Sequence, residues 1–211
     1  MKALTDAIAE DAETLAALHD RELTPAMIDA LREAHFPACL GLLPQTPQAV
    51  AAWQAMAAAM AKLPPMPGIA ELDELASEYA AIYLTGAYGA SPCESVWTDE
   101  DHLTHQAAMF QWRDLHAAAG LVATDWRQRP DDHLVLQLLH IAHLARRTTT
   151  ANFWHDLARV LDEHTLHWLP QFAARVAARS TSPFYGALAV LTAAWLETVR
   201  NPYCGNAALS A

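Results

Sequence analysis

A chain of 211 residues, 53% of them hydrophobic, is long and apolar enough to form a hydrophobic core, which argues against a disordered protein. Its net charge of −11, with Lys2 and Lys62 as its only lysines, should repel phosphate backbones and anionic lipid, so we expect no nucleic-acid or membrane-surface partner. Three widely spaced cysteines without a CxxC pair argue against a disulfide framework or a structural zinc site and fit a reducing compartment.

The hydropathy pattern predicts a cytoplasmic protein without membrane insertion. The N-terminal stretch MKALTDAIAEDAETLAALHD carries acids where an export signal has its apolar segment. The longest uncharged stretch, 36–61, contains several prolines and would be a poor membrane span.

In chain order, apolar residues at helical spacing predict a helix over about 4–20. Thr24-Pro25 and Thr46-Pro47 are each typical of a cap followed by a first-turn proline, and each predicts a helix start. A fourth helix follows the breaker LPPMPG and continues to Tyr83. The stretch 85–98, TGAYGASPCESVWT, lacks helical periodicity and predicts a long loop of the kind that often carries function.

The second half predicts helices over 99–119, ending at Gly120, and over 131–147, then from Phe153 and around Pro170 to Ala178, and a last helix capped by Ser182-Pro183. No strand-like alternation is present. The sequence therefore predicts an all-α, single globular domain over 1–211, with about eight or more helices.

The stretch 129–145, RPDDHLVLQLLHIAHLA, opens an apolar helix with two carboxylates and a histidine. The carboxylates could be first-turn residues that the helix dipole stabilises by about 0.3–1 kcal/mol each, and His133 could form a hydrogen bond at a polar rim. They could instead be half of a binding or catalytic site. Spacing alone favours capping.

Two enzyme-like patterns are weak. Histidines at i, i+3 occur as His102/His105, His140/His143 and His164/His167, but without the Glu-x-x-His pattern of di-iron bundles, so no metal is expected. The dipeptide His155-Asp156 allows an HD-like metal-dependent phosphohydrolase as an alternative, with His133 and Asp162 as further ligands. Cys93 has no base selected by spacing, and we expect an inert thiol.

The segment 79–101 is a stronger candidate for a binding surface. Its aromatic residues and proline, next to several acids, could form an apolar groove with a negative rim, which would suit an apolar peptide bearing arginines. The aromatic residues could equally be core and the acids solvated. The candidate rim acids are Glu94, Asp99, Glu100, Asp101 and Asp131.

Three stretches in order, EYAAIYLTGAYGASPCESVWTDED, RPDDHLVLQLLHIAHLA and SPFYGALAVLTAAWL, together resemble the TorD/DmsD/NarJ chaperones of molybdoenzyme assembly. The resemblance covers about 71–200, whereas the first 70 residues match only in helical character. It implies a cytoplasmic, all-helical, non-catalytic chaperone without a cofactor. Such a protein binds the twin-arginine leader or N-terminal region of an apo-molybdoenzyme catalytic subunit and holds it for cofactor insertion before export.

The resemblance also implies a leader-binding pocket, carried over by position to Tyr79, Ile82, Tyr83, Pro92, Ser95, Asp132 and His133. In this interpretation Asp132 and His133 flank the mouth of a peptide groove, and Asp131 caps the helix. An exposed Asp132 should tolerate replacement by alanine with little loss of stability.

Two departures from the family pattern lie near the proposed pocket: Arg129 stands where Glu is usual, and Cys93 where one branch has an aromatic residue. The family also implies a monomer or a domain-swapped homodimer, with an N-terminal part (about 1–120), a C-terminal part (about 130–211) and a possible hinge at 120–130. A helical scaffold that binds a folded partner is a further alternative.

Overall fold

In the computed structural model, which describes residues 2–123, 129–147 and 153–201, the chain is helical throughout its regular structure. The α-helices are α1 Lys2–Asp20, α2 Pro25–Glu33, α3 Pro47–Lys62, α4 Ile69–Tyr79, α5 Ser95–Thr98, α6 Ala107–Ala118, α7 Leu134–Arg146, α8 Phe153–Val160, α9 Leu166–Arg179 and α10 Pro183–Arg200. Two π-helical segments, Ala80–Leu84 and Leu161–Thr165, continue α4 and α8. The all-α prediction is confirmed.

Local capping chemistry sets several helix starts. The hydroxyls of Thr24, Thr46 and Ser182 each accept a hydrogen bond from a backbone amide of the first helical turn, and a proline follows each of them. The predicted starts of α2, α3 and α10 are therefore confirmed.

One helix is shorter than the sequence indicated. The predicted helix 99–119 begins only at Ala107 as α6, because His102 and His105 adopt positive φ angles of 54° and 63° that break a right-handed helix. These two histidines therefore do not form a pair on a helix face. The predicted end is close to the observed one, since Gly120 has a φ of 77° directly after the helix.

The core joins helices from both ends of the chain. α1 packs on α7, while α10 packs on α3 and α9. Trp112, Trp168 and Trp195 are fully buried. None of the helices in the described part of the chain is long and apolar enough to cross a bilayer.

A buried carboxylate links α4 to α10. The side chain of Glu78, 2% exposed, accepts hydrogen bonds from the backbone amides of Thr181 and Ser182, just before α10 begins. The two hydrogen bonds therefore hold the C-terminal end of α4 against the start of α10, and they position the π-helical segment that follows α4. The proposed hinge 120–130 includes 124–128, which lie outside the described residues.

Candidate peptide-binding cavity

A cavity of about 490 Å³ opens where the π-helical segment after α4, the loop 85–94 and the start of α7 meet. Its lining includes Tyr79, Ile82, Tyr83, Pro92 and His133. Five of the seven residues that the family resemblance selects therefore surround one cavity, and its volume is within the usual range for ligand pockets.

The π-helical segment forms the aromatic wall. The amide of Thr85 donates to the carbonyl of Ala80 at 2.8 Å, five residues back, which widens the helix turn at Ile82 and Tyr83. Single π-helical turns inside α-helices are often found at functional sites. The ring centroids of Tyr79 and Tyr83 lie 4.7 Å apart, so the two rings form a continuous surface.

A buried hydrogen-bond chain holds Tyr83. Thr192 donates its hydroxyl to the carbonyl of Leu188, so its oxygen accepts from Nε2 of His19 at 2.9 Å. Nδ1 of His19 then accepts from the hydroxyl of Tyr83 at 2.6 Å. Because burial lowers the pKa of His19 to about 3, this imidazole is neutral at physiological pH.

The hydroxyls of the three clustered tyrosines Tyr79, Tyr83 and Tyr185 are each engaged in a hydrogen bond within the protein. Tyr79 donates to the backbone carbonyl of Asp20 at 2.6 Å, and the hydroxyl of Tyr185 accepts from the amide of Leu23. With Tyr83 bonded to His19, the two tyrosines of the described lining, Tyr79 and Tyr83, offer a ligand their ring surfaces, while their hydroxyl protons are already donated. Such a wall suits apolar side chains and the aliphatic or cationic parts of basic ones.

The loop and the start of α7 are joined by backbone hydrogen bonds. The amide of Glu94 donates to the carbonyl of Asp132 at 3.3 Å, and the amide of Leu134 donates to the carbonyl of Pro92 at 2.8 Å. Cys93 and His133 form an isolated antiparallel bridge between these bonds. This pairing explains why residues 40 positions apart in the sequence line the same cavity.

Asp132 and Ser95 lie behind the cavity and do not line it. Asp132 is fully buried, and its Oδ2 accepts from the amide of Ser95 at 2.7 Å. The expectation of an exposed first-turn acid at the mouth of a groove is therefore wrong. The carboxylate instead fixes the loop, because it satisfies the amide that begins α5.

The capping assignments at α7 also change. The helix begins at Leu134, and its cap is His133, whose Nδ1 accepts from the amide of Val135 at 3.2 Å. Asp131, expected as the cap, instead forms an ion pair with Arg113 at 2.8 Å. Burial lowers the pKa of His133 to about 3, so its ring is neutral and carries its proton on Nε2.

The predicted acidic rim does not form at this cavity. Glu94 is 2% exposed and accepts hydrogen bonds from the side chains of Trp112, Gln137 and His164. Asp99, Glu100 and Asp101 do not line the cavity, and Asp99 instead accepts from the amides of Asp101 and Leu103. Buried acids need several donors to offset their desolvation, which explains why Glu94 has three.

Sequence reasoning missed His19 and Asp20. His19 reaches Tyr83 and Thr192, which are 64 and 173 residues away, so no local pattern marks it. Asp20 pairs with Arg129, a residue of the cavity lining, at 2.6 Å. Nothing in the local sequence distinguishes Asp20 from the other acids of the amphipathic helix α1, because its role depends on tertiary partners.

The geometry required of a phosphohydrolase is not assembled in the described part of the chain. His155 is exposed, Asp162 pairs with Arg200 at 2.7 Å, and His133 caps α7. Among the described residues, no three His, Cys, Asp or Glu side chains are grouped closely enough to hold a metal ion. Burial raises the pKa of Cys93 to about 12, so its thiol stays protonated at neutral pH.

The model of the family described as nitrate reductase delta subunit matches residues 43–174. The chain belongs to this family. The resemblance to the TorD/DmsD/NarJ group is thereby confirmed. The match includes the π-helical segment, the loop and the start of α7, and therefore the whole lining of the cavity.

Curated relatives in this family carry the name Chaperone protein TorD. The chain is 32% identical to the Vibrio cholerae O395 protein over 132 residues, covering 59% of this chain and 60% of that one. It is 35% identical to the Shewanella piezotolerans protein over 123 residues, covering 58% and 52%. It is 31% identical to the protein of Shewanella sp. MR-4 over 132 residues, covering 60% and 61%. The matched region therefore spans between half and two thirds of these relatives.

Proposed function

We propose that this chain is a non-catalytic chaperone of molybdoenzyme maturation. It would bind the twin-arginine leader or N-terminal region of an apo-molybdoenzyme catalytic subunit in the cavity between the π-helical segment and α7. The observation that carries this proposal is the coincidence of an aromatic cavity of about 490 Å³ with five of the residues that the family resemblance selects. Membership of the family and relatives named as chaperones support it.

The chemistry of the cavity suits the apolar part of a leader. The neighbouring rings of Tyr79 and Tyr83 and the side chain of Ile82 provide an apolar wall, and Leu84, which also lines the cavity, is 70% exposed. Exposed large apolar side chains beside a cavity are typical of a surface that a partner covers. The backbone groups of the loop could add hydrogen bonds to an extended peptide.

The net charge of −11 supports a basic partner at longer range. An acidic chain attracts a leader that carries arginines, and this attraction raises the association rate most at low salt. Since the cavity-lining residues of the described chain include no carboxylate, affinity in this proposal comes mainly from apolar burial, and charge contributes around the cavity.

The proposal is tested by blocking the cavity at its surface. Thr104 lines the cavity and is exposed, so Thr104→Trp fills space without changing the core. Leu103 is its exposed neighbour outside the lining, and Leu103→Trp is the matched control. Binding of a fluorescein-labelled twin-arginine leader peptide is measured by fluorescence anisotropy with wild type and both variants.

We expect Thr104→Trp to weaken peptide binding at least about tenfold, equivalent to about 1.4 kcal/mol, and Leu103→Trp to change it little. Equal binding by wild type and Thr104→Trp would show that the peptide binds elsewhere. A pull-down with the same variants from cells that express a molybdoenzyme precursor extends the test to the client. Capture of a leaderless precursor by Thr104→Trp would favour the folded-partner alternative.

A further inference from the structure

The charges around the cavity differ from those expected of a site for arginines. No residue of its described lining is an aspartate or a glutamate, and Arg129 is the cation among them. A carboxylate directly bonded to the lining is that of Asp20, the last residue of α1, which Arg129 Nη1 contacts at 2.6 Å. The cavity therefore contains a guanidinium that already pairs with an acid.

Asp20 contacts two residues that line the cavity. Its backbone carbonyl accepts from the hydroxyl of Tyr79, a lining residue, and its carboxylate binds Arg129, also a lining residue. The second carboxylate oxygen accepts from Arg21 at 2.7 Å. Burial raises the pKa of Asp20, but the bonds from Arg21 and Arg129 outweigh it, so the net pKa is lowered and the group is ionised.

The two arginines are not equivalent. The side chain of Arg21 is 67% exposed and lies outside the lining, whereas that of Arg129 is 23% exposed and faces the cavity. A ligand guanidinium in the cavity would approach Asp20 from the side of Arg129. A peptide guanidinium that approached Asp20 beside Arg129 would be repelled by the guanidinium of Arg129. Only one of the two groups can form a well-aligned hydrogen bond with the same carboxylate oxygen.

We propose that Arg129 acts as an internal competitor for the arginines of the bound peptide and that Asp20 is the carboxylate that recognises them. The proposal rests on the proposed function and names the charged part of that site. An arginine of the peptide displaces Arg129 from Asp20, so the Asp20–Arg129 ion pair lowers both the affinity of the cavity for an arginine peptide and its preference for that peptide over an uncharged one. Arg129 is thus a specificity-determining residue.

The test compares two peptides and two matched variants. One fluorescein-labelled leader peptide carries two consecutive arginines, and the other has glutamine at both positions. Arg129→Gln removes the competitor in the cavity, while Arg21→Gln removes the other arginine on the same carboxylate. We expect Arg129→Gln to lower the Kd of the arginine peptide about fivefold, equivalent to about 1 kcal/mol, and to leave the glutamine peptide unchanged.

Arg21→Gln should leave both peptides unchanged, and Asp20→Asn should make the two peptides bind equally. Arg129→Lys keeps the charge and the fold with a poorer match to the carboxylate, so it should give a smaller gain than Arg129→Gln. Weaker or unchanged binding of the arginine peptide by Arg129→Gln, or an equal gain for both peptides, overturns the proposal.

Failure of this inference can be told from failure of the proposed function. If both peptides bind wild type and Thr104→Trp abolishes their binding, the cavity is the peptide site, and a lack of response to Arg129→Gln rejects the competitor alone. If Thr104→Trp has no effect on either peptide, the cavity does not bind leaders, and both proposals are rejected together.

Discussion

Oδ2 of Asp132 accepts a hydrogen bond from the backbone amide of Ser95 at 2.7 Å. This bond joins the first residue of α5, directly after the 85–94 loop, to the residue before the cap of α7, and neither partner lines the cavity. The aspartate of the family pattern therefore shapes the site by fixing its loop. A residue that matches a binding motif can act through the backbone conformation that it stabilises.

Asp132→Ala is expected to lower the free energy of unfolding by about 1–3 kcal/mol, because it removes the acceptor of a buried amide. Urea unfolding followed by circular dichroism measures the change. The exposed acid Asp101 provides a matched control, since Asp101→Ala should change stability by less than about 0.5 kcal/mol. Equal midpoints for the two variants would show that the bond to Ser95 contributes nothing.

Asp132→Asn separates the hydrogen bond from the charge. Burial raises the pKa of Asp132, and its Oδ1 has no hydrogen-bond partner among the described residues, so ionisation of this carboxylate costs stability. An asparagine oxygen can still accept from Ser95 without that cost. We expect Asp132→Asn to be more stable than Asp132→Ala in the same urea titration; a less stable asparagine variant would contradict this account.

The chain that joins His19 to Tyr83 predicts a dependence of stability on pH. The pKa of His19 falls from 6.5 to about 3 on folding because of burial, so the unfolded state binds a proton that the folded state does not. The contribution of neutral His19 to the free energy of unfolding is complete above pH 6.5 and is lost as the pH falls toward 3. Between these two pH values, this one group lowers the free energy of unfolding by at most about 1.4 kcal/mol for each unit by which the pH falls, which is the limiting slope of this pH dependence.

His19→Gln should reduce that slope by about one proton between pH 6 and pH 4, since glutamine can accept from Tyr83 and donate to Thr192 without titrating. Urea unfolding at several pH values in this interval measures the slope. His35→Gln, at an exposed position, is the control and should leave the slope unchanged. An unaltered slope in His19→Gln would mean that other histidines account for acid unfolding.

The three donors on Glu94 predict a large stability loss on its removal. Glu94→Ala leaves the indole N–H of Trp112 and one of the two amide N–H groups of Gln137 buried without an acceptor, and we expect a loss of about 3 kcal/mol or more. Glu100→Ala, at an exposed neighbouring position, should be nearly neutral. Thermal unfolding of the two variants measures this difference. Similar melting temperatures would show that Glu94 does not stabilise the fold as a buried acceptor.

Gly41 predicts a steric effect. An added Cβ would lie 2.7 Å from Cβ of Ala7 on α1, and the amide of Gly41 must stay close to donate to Asp11. Gly41→Ala is therefore expected to cost about 1–3 kcal/mol through forced backbone movement. At Gly68 the nearest atom belongs to the flexible Glu71 side chain, so Gly68→Ala should cost less. A differential scanning comparison of the two variants tests this order.

Much of the fold could be predicted because its signals are local. A Thr or Ser before a proline caps α2, α3 and α10, because its hydroxyl accepts from a backbone amide of the next turn, and a short sequence window contains both groups. The predicted start of α6 was wrong because His102 and His105 adopt left-handed conformations. Glycine is the usual sequence signal for such a conformation, and this segment contains none.

The candidate site divides in the same way. Tyr79, Ile82 and Tyr83 follow one another in the chain, and the family pattern located them together. The burial of Asp132 and Glu94 depends on partners from other helices, so no pattern distinguishes these acids from solvated ones. The prediction of an acidic rim was wrong for the same reason. Asp20 pairs with Arg129 only once α1 has packed against the rest of the chain.

The packing of α3 against α10, and of α1 against α7, has a consequence for synthesis on the ribosome. The first helices to emerge have no complete surface to cover their apolar faces until the last helix has been made. The core of the chain therefore remains incomplete during translation until α10 has emerged from the ribosome. A protein proposed to shelter another chain before assembly is itself exposed during its own synthesis.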